Sequence, residues 1–187
     1  MPISERVSNL GSGVFSRNDQ RKAAYEHRSV LTLPDQDSGQ LIDLSLGSTD
    51  LAPPAVALEA MATALHQPAS AAYCLHAATR PFREAAAAWV ERRFAVAVDA
   101  EREVLLLIGS QEGTAHLPLA VLNPGDPALV LDPCYPSHLG GLHLASASPV
   151  SLPLQAEQGW RPAFESLPES TWSALRLMVL GFPHNPT

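Results

Sequence analysis

Lysine is almost absent from this 187-residue sequence. Lys22 is its single lysine, and lysine and arginine together number 12 against 19 acidic residues, which gives a formal net charge of −7. Binding to a nucleic-acid backbone requires clustered cationic side chains that displace the counterions of its phosphates. We therefore predict that nucleic acid is not a partner.

Cysteine and long apolar runs are also scarce. The two cysteines, Cys74 and Cys134, lie far apart, and the N-terminus lacks the basic and then apolar segment of a secretory signal, so a secreted disulfide scaffold is not expected. No apolar run approaches the roughly 20 residues that a membrane-spanning helix requires. These absences predict a reduced, cytoplasmic protein without membrane association.

The composition is otherwise that of a globular protein. A hydrophobic content of 46% over 187 residues predicts one sizeable core and not two complete domains. The seven histidines show no metal-ligand spacing, since His138 and His143 are five apart and no H-E-x-x-H sequence occurs. We predict no metal site.

The most informative stretch is VLLLIGSQEG, from Val104 to Gly113. An apolar run ends at a glycine, polar residues and a second glycine follow, and TAHLPLAVL then begins, which predicts a strand, a tight turn and a helix. In an open α/β sheet, ligands bind at the carboxyl ends of the strands, where a new helix presents unpaired N–H groups. Such an N-terminus favours an anionic group.

The remaining sequence continues the alternation of strands and helices. We predict a polar N-terminal arm over residues 1–40 with a helix at about 14–28, a strand-like run at 41–47, helices at about 54–66 and from 81, a loop at 67–80, a strand at 127–132, a helix at 136–145, and strands at 149–154 and 175–182. This order predicts an α/β fold with a doubly wound, mostly parallel sheet.

Three strand ends carry polar or aromatic residues, at 109–113, 132–135 and 182–187. Each stretch alone is explained by a simple turn. Because the carboxyl ends of parallel strands open onto the same edge of the sheet, the three together predict one ligand site.

Ser110 is the first candidate at that edge. It is placed to cap the helix, which needs no ligand, or to hold a phosphate with its hydroxyl and the following N–H groups. A nucleophilic serine is a third possibility, but GSQEG is not the G-x-S-x-G turn. The stretch also lacks the patterns of the P-loop and of dinucleotide-binding folds.

Tyr135 and Asn185 are the other two candidates. Tyr135 follows a strand end between two prolines, where its ring can be held against a planar ligand or packed in a core or interface. Asn185 precedes Pro186, which favours an extended backbone and leaves the amide free to donate, although Asn-Pro also begins many turns.

Taken together, these motifs resemble the class I/II aminotransferases, the fold type I enzymes that use pyridoxal 5′-phosphate, and in particular their aspartate and LL-diaminopimelate aminotransferase-like branch. The resemblance covers nearly the whole chain and rests on the order of LSLGSTDLAPP, Y-x(9)-R, LLIGSQEGTAHLPLAVLNPGD, LDPCYPSH and FPHNPT. It implies transamination between an amino acid and a 2-oxo acid.

The resemblance also implies cofactor-binding residues. Ser110 and the backbone of Gln111 correspond to the cofactor phosphate site, Tyr135 to the aromatic that stacks on the pyridine ring, and Asn185 to the asparagine that binds the phenolic oxygen of that ring. The Asp132–Pro133 and Asn185–Pro186 peptide bonds are, by the same resemblance, expected to be cis.

Further roles implied by the resemblance lie earlier in the sequence. Gly47 and Ser48 correspond to the turn whose backbone approaches the substrate carboxylate. Tyr73 corresponds to a tyrosine that reaches the cofactor phosphate of the neighbouring subunit, which implies a homodimer.

The sequence departs from the family pattern in several places. Lys22 lies in the N-terminal arm and does not match the Schiff-base lysine, and Ala78 and Cys134 stand where glycines are commoner. The residues that the family carries after its asparagine motif are missing. No catalytic residue is therefore assigned, and we expect this chain to be an N-terminal portion that does not transaminate alone, with an unpaired sheet edge and uncovered apolar faces.

By resemblance, residues 1–45 form an N-terminal arm with part of a small domain, and residues 46–187 form the N-terminal part of the large, cofactor-binding domain. Two other interpretations stay open. One is a catalytically dead dimerisation or interaction module that retains the fold, and the other is an α/β protein that binds a nucleotide in place of pyridoxal phosphate.

Overall fold

The computed structural model describes residues 3–10, 13–32 and 41–187. The chain divides into two compact units, one formed by residues 42–106 and the other by the residues before and after that segment. Gly11, Pro34 and Gly39 of the predicted arm lie outside the described residues. The predicted boundary at residue 45, between the N-terminal arm and the large, cofactor-binding domain, stays a prediction.

The described residues before Ser110 contain helices, and from Ser110 onward helices and strands alternate along the chain. The helices are α1 (Glu5–Ser8), α2 (Val14–Thr32), α3 (Ala55–Leu65), α4 (Arg80–Phe94), α5 (Ser110–Val121), α6 (Pro136–Leu144) and α7 (Glu169–Ala174), and the strands are β1 (Pro127–Asp132), β2 (Ser148–Pro153) and β3 (Leu177–Val179). The predicted loop at 67–80 contains two short 3₁₀ turns, Pro68–Ala71 and His76–Thr79.

The three strands form a parallel sheet in the order β2-β1-β3. Leu129 in the middle of β1 is opposite Val150 on one side and Met178 on the other. A central strand is covered on both faces, which explains why four successive residues of β1, at 128–131, are buried. The predicted α/β fold with a parallel sheet is confirmed.

The core lies on the two faces of β1. Ala128 and Val130 pack with Leu142 of α6 on one face, whereas Leu129 and Leu131 pack on the other face against a cluster that includes Leu152 and Leu154. Burying one such leucine contributes roughly 1.5–3 kcal/mol. This core fixes the end of β1, and therefore the start of α6, at one edge of the sheet.

Two predicted strands are wrong. Residues 104–108 have no strand structure, and the run at 41–47 has none either. Among the described residues the sheet has three strands, and neither segment pairs with any of them. An apolar run becomes a strand only when a neighbouring strand accepts its hydrogen bonds, and Leu105 and Ile108 are instead 73% and 94% exposed.

Residues 42–106 are organised around a buried arginine. Arg83 of α4 is 1% exposed, and its guanidinium donates to the carbonyl of Ala100 at 2.5 Å, to Glu101 Oε2 at 3.0 Å and to Thr79 Oγ1 at 3.0 Å. His76 Nε2 lies 3.0 Å from the other oxygen of Glu101. The hydrogen bond from Arg83, followed by that from His76, lowers the pKa of the Glu101 carboxyl below its ordinary value.

Much apolar surface in this unit is exposed. Phe82, Trp89 and Phe94, three of the side chains that share the predicted apolar face of α4, are each more than half exposed. The large side chains of α3 are exposed as well. The expectation of an unpaired edge and uncovered apolar faces concerns the sheet and stays a prediction. Across the described residues, every helix is too short or too polar to cross a bilayer.

Candidate functional site

The first part of the candidate site is the N-terminus of α5. Gly109 precedes this helix with a φ of 81°, a conformation that favours glycine. The N-cap is therefore Gly109, and the prediction that Ser110 is the N-cap was wrong. In the part of the chain that the structure describes, no protein group accepts a hydrogen bond from the N–H of Ser110 or Gln111. These two N–H groups can bind an anion.

Glu112 brings a negative charge to the same turn. Its carboxylate accepts a hydrogen bond from the N–H of Ile108 at 2.5 Å and lies 3.7 Å from His116 Nδ1. This hydrogen bond fixes the backbone at Ile108, just before α5 begins. An anion at this terminus is thus favoured by the helix dipole and the free N–H groups and opposed by the Glu112 charge.

Helices α5 and α6 pack closely because a glycine stands between them. A Cβ at Gly141 would collide with the carbonyl oxygen of Thr114 and would lie 3.3 Å from Pro118 Cγ, so only a hydrogen fits there. Near their N-termini the helices are joined by a hydrogen bond from Thr114 Oγ1 to Ser137 Oγ at 3.2 Å. The close packing brings the N-terminal ends of the two helices side by side.

This packing joins two of the three predicted strand ends. Gln111 Nε2 donates to the hydroxyl of Tyr135 at 2.5 Å. Tyr135 is the N-cap of α6 and is partly buried. An aromatic ring and the free N–H groups of α5 therefore stand next to each other.

The third strand end is connected through His138. A Cβ at Gly181 would lie 3.0 Å from His138 Cε1, and the His138 and Tyr135 rings are in edge contact, with centroids 5.8 Å apart and planes at 70°. Burial, and secondly the charge of His184, lowers the pKa of His138. Asn185, four residues after Gly181, is exposed.

The peptide bonds around these residues agree with expectation. Asp132–Pro133 and Asn185–Pro186 are both cis, as predicted, and Phe182–Pro183 is cis as well.

The other predicted site residues belong to the unit of residues 42–106. Tyr73 is 91% exposed. The N–H of Ser48 donates to the carbonyl of Leu46 at 2.9 Å, and among the described residues beyond its two chain neighbours no atom lies within 4 Å of an added Cβ at Gly47. The substrate and cofactor roles of these three residues stay predictions.

Cys134 is not activated. Burial raises the pKa of its thiol, and the nearby Asp132 carboxylate raises it further. The thiol is therefore protonated near neutral pH and is a poor nucleophile. It borders a cavity of about 470 Å³ whose other lining residues include Asn9, Arg17 and His143. Within the described ranges, no group of three or more His, Cys, Asp or Glu side chains is arranged to hold a metal ion.

Sequence reasoning missed the positions of His138 and Arg83. The sequence singles out His138 only for its spacing to His143, which does not fit a metal site, although it is three residues from Tyr135, a spacing that places both at the first turn of α6. Arg83 pairs with Glu101, 18 residues further along the chain, and no local pattern indicates such a pair.

Comparisons with known proteins identify the family. A sequence profile of aminotransferase class I and II matches residues 39–187. The LL-diaminopimelate aminotransferase of Oleidesulfovibrio alaskensis is 35% identical over 185 residues, which cover 99% of this chain and 45% of that protein. The enzyme of the same name from Desulforudis audaxviator is 37% identical over 98% of this chain and 45% of its own. The chain thus spans about half the length of these relatives.

Solved structures agree. A probable N-succinyldiaminopimelate aminotransferase from Thermus thermophilus is 45% identical, with a TM-score of 0.74, over 79% of this chain and 39% of its own. Substrate-bound BacF from Bacillus subtilis is 31% identical, with a TM-score of 0.78, over 100% of this chain and 46% of its own. The resemblance to the LL-diaminopimelate aminotransferase-like branch is confirmed, and the chain belongs to the family of class I and II aminotransferases.

Proposed function

We propose that this chain is the N-terminal, cofactor-binding part of a pyridoxal 5′-phosphate-dependent enzyme that transfers an amino group between an amino acid and a 2-oxo acid. The observation that carries the proposal is the 2.5 Å hydrogen bond between Gln111 and Tyr135. It combines an anion-binding helix terminus with an aromatic ring, the two features that a phosphorylated, planar cofactor requires. When bound, pyridoxal phosphate supplies a ring that withdraws electrons from the substrate α-carbon.

The residues present fit the phosphate of this cofactor. The N–H groups of Ser110 and Gln111 are without a protein acceptor in the described residues, and the Ser110 side chain is exposed beside them. Hydrogen bonds to a charged group contribute about 1.5–3 kcal/mol each. Two or three such bonds would act against the repulsion from Glu112, whose carboxylate accepts a hydrogen bond from the N–H of Ile108.

The residues also fit the cofactor ring. We assign stacking on the pyridine ring to Tyr135, whose hydroxyl is held by Gln111. We assign to Asn185 a hydrogen bond to the phenolic oxygen of the cofactor, because its amide is exposed beyond the strand end that His138 contacts. Ring and amide would then orient the cofactor while the helix terminus binds its phosphate.

The remaining roles concern the substrate and a second subunit. We propose that the backbone at Gly47 and Ser48 approaches the substrate carboxylate and that Tyr73 reaches the cofactor phosphate of the other subunit in a cytoplasmic homodimer. The 91% exposure of Tyr73 supports a role outside its own unit.

Lys22 is not proposed as a catalytic residue. It lies on α2 and forms an ion pair with Asp19 at 2.9 Å. Since it is the single lysine of this sequence, we expect this chain alone to bind the cofactor without a covalent bond and to show no transamination.

Titration with pyridoxamine 5′-phosphate tests the proposal, because this cofactor form carries no aldehyde and does not react with amines. Ser110→Asp places a carboxylate beside the phosphate and is expected to weaken binding at least about tenfold, the loss of one charge-assisted hydrogen bond. Ser173→Asp, an exposed position on α7, is the matched control and should bind normally. Equal binding by both variants would contradict the assignment, as would trapping of pyridoxal phosphate on Lys22 by borohydride.

The alternative is a catalytically dead dimerisation module. The exposed apolar side chains of α3, among them Val56 and Leu65 at 74% and 70% exposure, favour it. This module would dimerise in sedimentation experiments and show no saturable binding of pyridoxamine 5′-phosphate.

A further inference from the structure

We propose that His138 is a positioning residue that holds the Tyr135 ring at a fixed distance from the segment Gly181–Asn185. The proposal rests on the proposed function in one respect, since it explains how Tyr135 and Asn185 come to bind one cofactor. Its geometric part concerns this chain alone.

The contact with Tyr135 is the first observation. The N–H of His138 donates to the carbonyl of Tyr135 at 2.9 Å, which closes the first turn of α6. The imidazole then meets the phenol ring edge to face, with centroids 5.8 Å apart and planes at 70°. Aromatic pairs favour this arrangement. The Tyr135 side chain is thus restrained twice, by Gln111 at its hydroxyl and by His138 at its ring.

The contact with Gly181 is the second, independent observation. An added Cβ at Gly181 would lie 3.0 Å from His138 Cε1 and 3.8 Å from His138 Nε2. The imidazole therefore lies directly against the backbone that leaves β3 and leads to Asn185. A larger side chain at either position would move the two strand ends apart, and a smaller one at 138 would leave a gap between them.

The imidazole acts in its neutral form. Burial lowers the pKa of His138, and the charge of His184 lowers it further. His138 is therefore uncharged near neutral pH, and it separates Tyr135 from Gly181 as a flat ring rather than as a cation. A metal-ligand role has no support among the described residues, which contain no suitable cluster around it.

The cofactor-free test measures Tyr135 directly. The sequence contains three tyrosines, so ¹³C-tyrosine labelling gives three ring signals, and Tyr135→Phe assigns the one of interest. We expect His138→Ala to shift the Tyr135 signal and neither of the other two. His138→Phe, which keeps a flat ring, should return the Tyr135 signal most of the way to its native position. His143→Ala, a partly buried histidine on the same helix, is the matched control and should leave the signal in place.

A double-variant test examines the Gly181 contact. Gly181→Ala should shift the Tyr135 signal in the native background, because its methyl group pushes on the imidazole. The same substitution should have no effect on Tyr135 in the His138→Ala background, since the space is then open. Equal shifts in both backgrounds would show that Gly181 does not act through His138 and would overturn the proposal.

The binding test uses pyridoxamine 5′-phosphate. His138→Ala should weaken its binding about 2- to 12-fold, the equivalent of the roughly 0.5–1.5 kcal/mol of an aromatic pair, whereas His138→Phe should bind within about 2-fold of the native chain. If the native chain does not bind this ligand, the proposed function fails while the tyrosine signals still decide the role of His138. If His138→Ala leaves the Tyr135 signal unchanged, or His143→Ala shifts it as much, the positioning role is wrong. If His138→Ala does not fold, the Tyr135 signals of His138→Phe and Gly181→Ala are compared with the native signal to test the same role.

Discussion

The sheet and the unit of residues 42–106 are stabilised in different ways. In the sheet, β1 buries four successive apolar residues, and Leu129 and Leu142 are completely inaccessible. In residues 42–106, all of which are described, the buried residues are Arg83 and Ala87. The first region depends on apolar burial, and the second depends on a single guanidinium and its hydrogen bonds.

The two regions should therefore respond differently to pH and to salt. Apolar burial depends little on pH and salt, whereas an ion pair with a half-exposed partner such as Glu101 is weakened by both. The candidate cofactor site lies in the sheet region, at the edge that the apolar core fixes. Its geometry should therefore persist under conditions that loosen residues 42–106.

The largest effect is expected from Leu129→Ala. This side chain is 0% exposed at the centre of β1, so its truncation leaves a cavity and should lower the free energy of unfolding by about 2–5 kcal/mol. Chemical denaturation followed by circular dichroism measures the change. Leu105→Ala, at 73% exposure, is the control and should change stability by less than about 0.5 kcal/mol. Similar losses in both variants would show that the sheet core does not dominate stability.

A smaller and local effect is expected from Arg83→Met. The substitution keeps much of the apolar stem but leaves the carbonyls of Ala100 and His76 without their donor. We expect a loss of roughly 1–3 kcal/mol, seen by hydrogen exchange as faster exchange at residues 76–101. Arg92→Met, an exposed position on the same helix, should leave exchange unchanged. Faster exchange throughout the sheet would contradict the separation between the two regions.

The pH dependence should distinguish the regions further. The pKa of Glu101 is lowered by Arg83 and then by His76, so the folded state favours the ionised carboxylate. The stabilisation is present above the ordinary carboxyl pKa and is lost as the pH falls through the lower pKa of the folded state. The protection of amides at residues 76–101 against hydrogen exchange should fall in acid relative to the protection of β1 amides. Glu101→Gln should abolish this acid-induced difference. A difference that persists in Glu101→Gln would assign it to another group.

The sequence predicts the sheet region well because its signals are local. The apolar run PALVLD forms β1, Gly109 and SQEG form the turn and the start of α5, and the proline-flanked Tyr135 becomes the N-cap of α6. Each of these depends on residues that are neighbours along the chain. The rule that parallel strands end at one edge predicts that Gln111 and Tyr135 converge. They do converge, but Gln111 follows no strand among the described residues, and the packing of α5 on α6 brings the two residues together.

The errors arise where structure depends on distant partners. The run at residues 104–108 has the composition of a strand, but strand structure requires a neighbouring strand to pair with, and no described segment provides one. Arg83 and Glu101 meet across 18 residues, and the contact of His138 with Gly181 spans even more of the chain. Such pairs are set by tertiary packing, which composition and periodicity do not encode.

The smallest effect on stability is expected within the sheet region, from Gln111→Leu. This substitution removes the donor to the Tyr135 hydroxyl while keeping a side chain of similar length at an exposed position. Because the phenol can then be solvated by water, stability should change by less than about 1 kcal/mol. The orientation of the ring is less restrained, however, so binding of pyridoxamine 5′-phosphate should weaken by about 2- to 10-fold.

Calorimetric titration and thermal melting of the same samples separate these two effects of Gln111→Leu, with Gln158→Leu in an exposed 3₁₀ turn as the control. Weaker ligand binding at unchanged stability would show that this bond orients the ring and contributes little to folding. A large loss of stability would instead place the bond in the core of the fold. The contrast with Arg83 would then disappear, because polar contacts would stabilise both regions of the molecule.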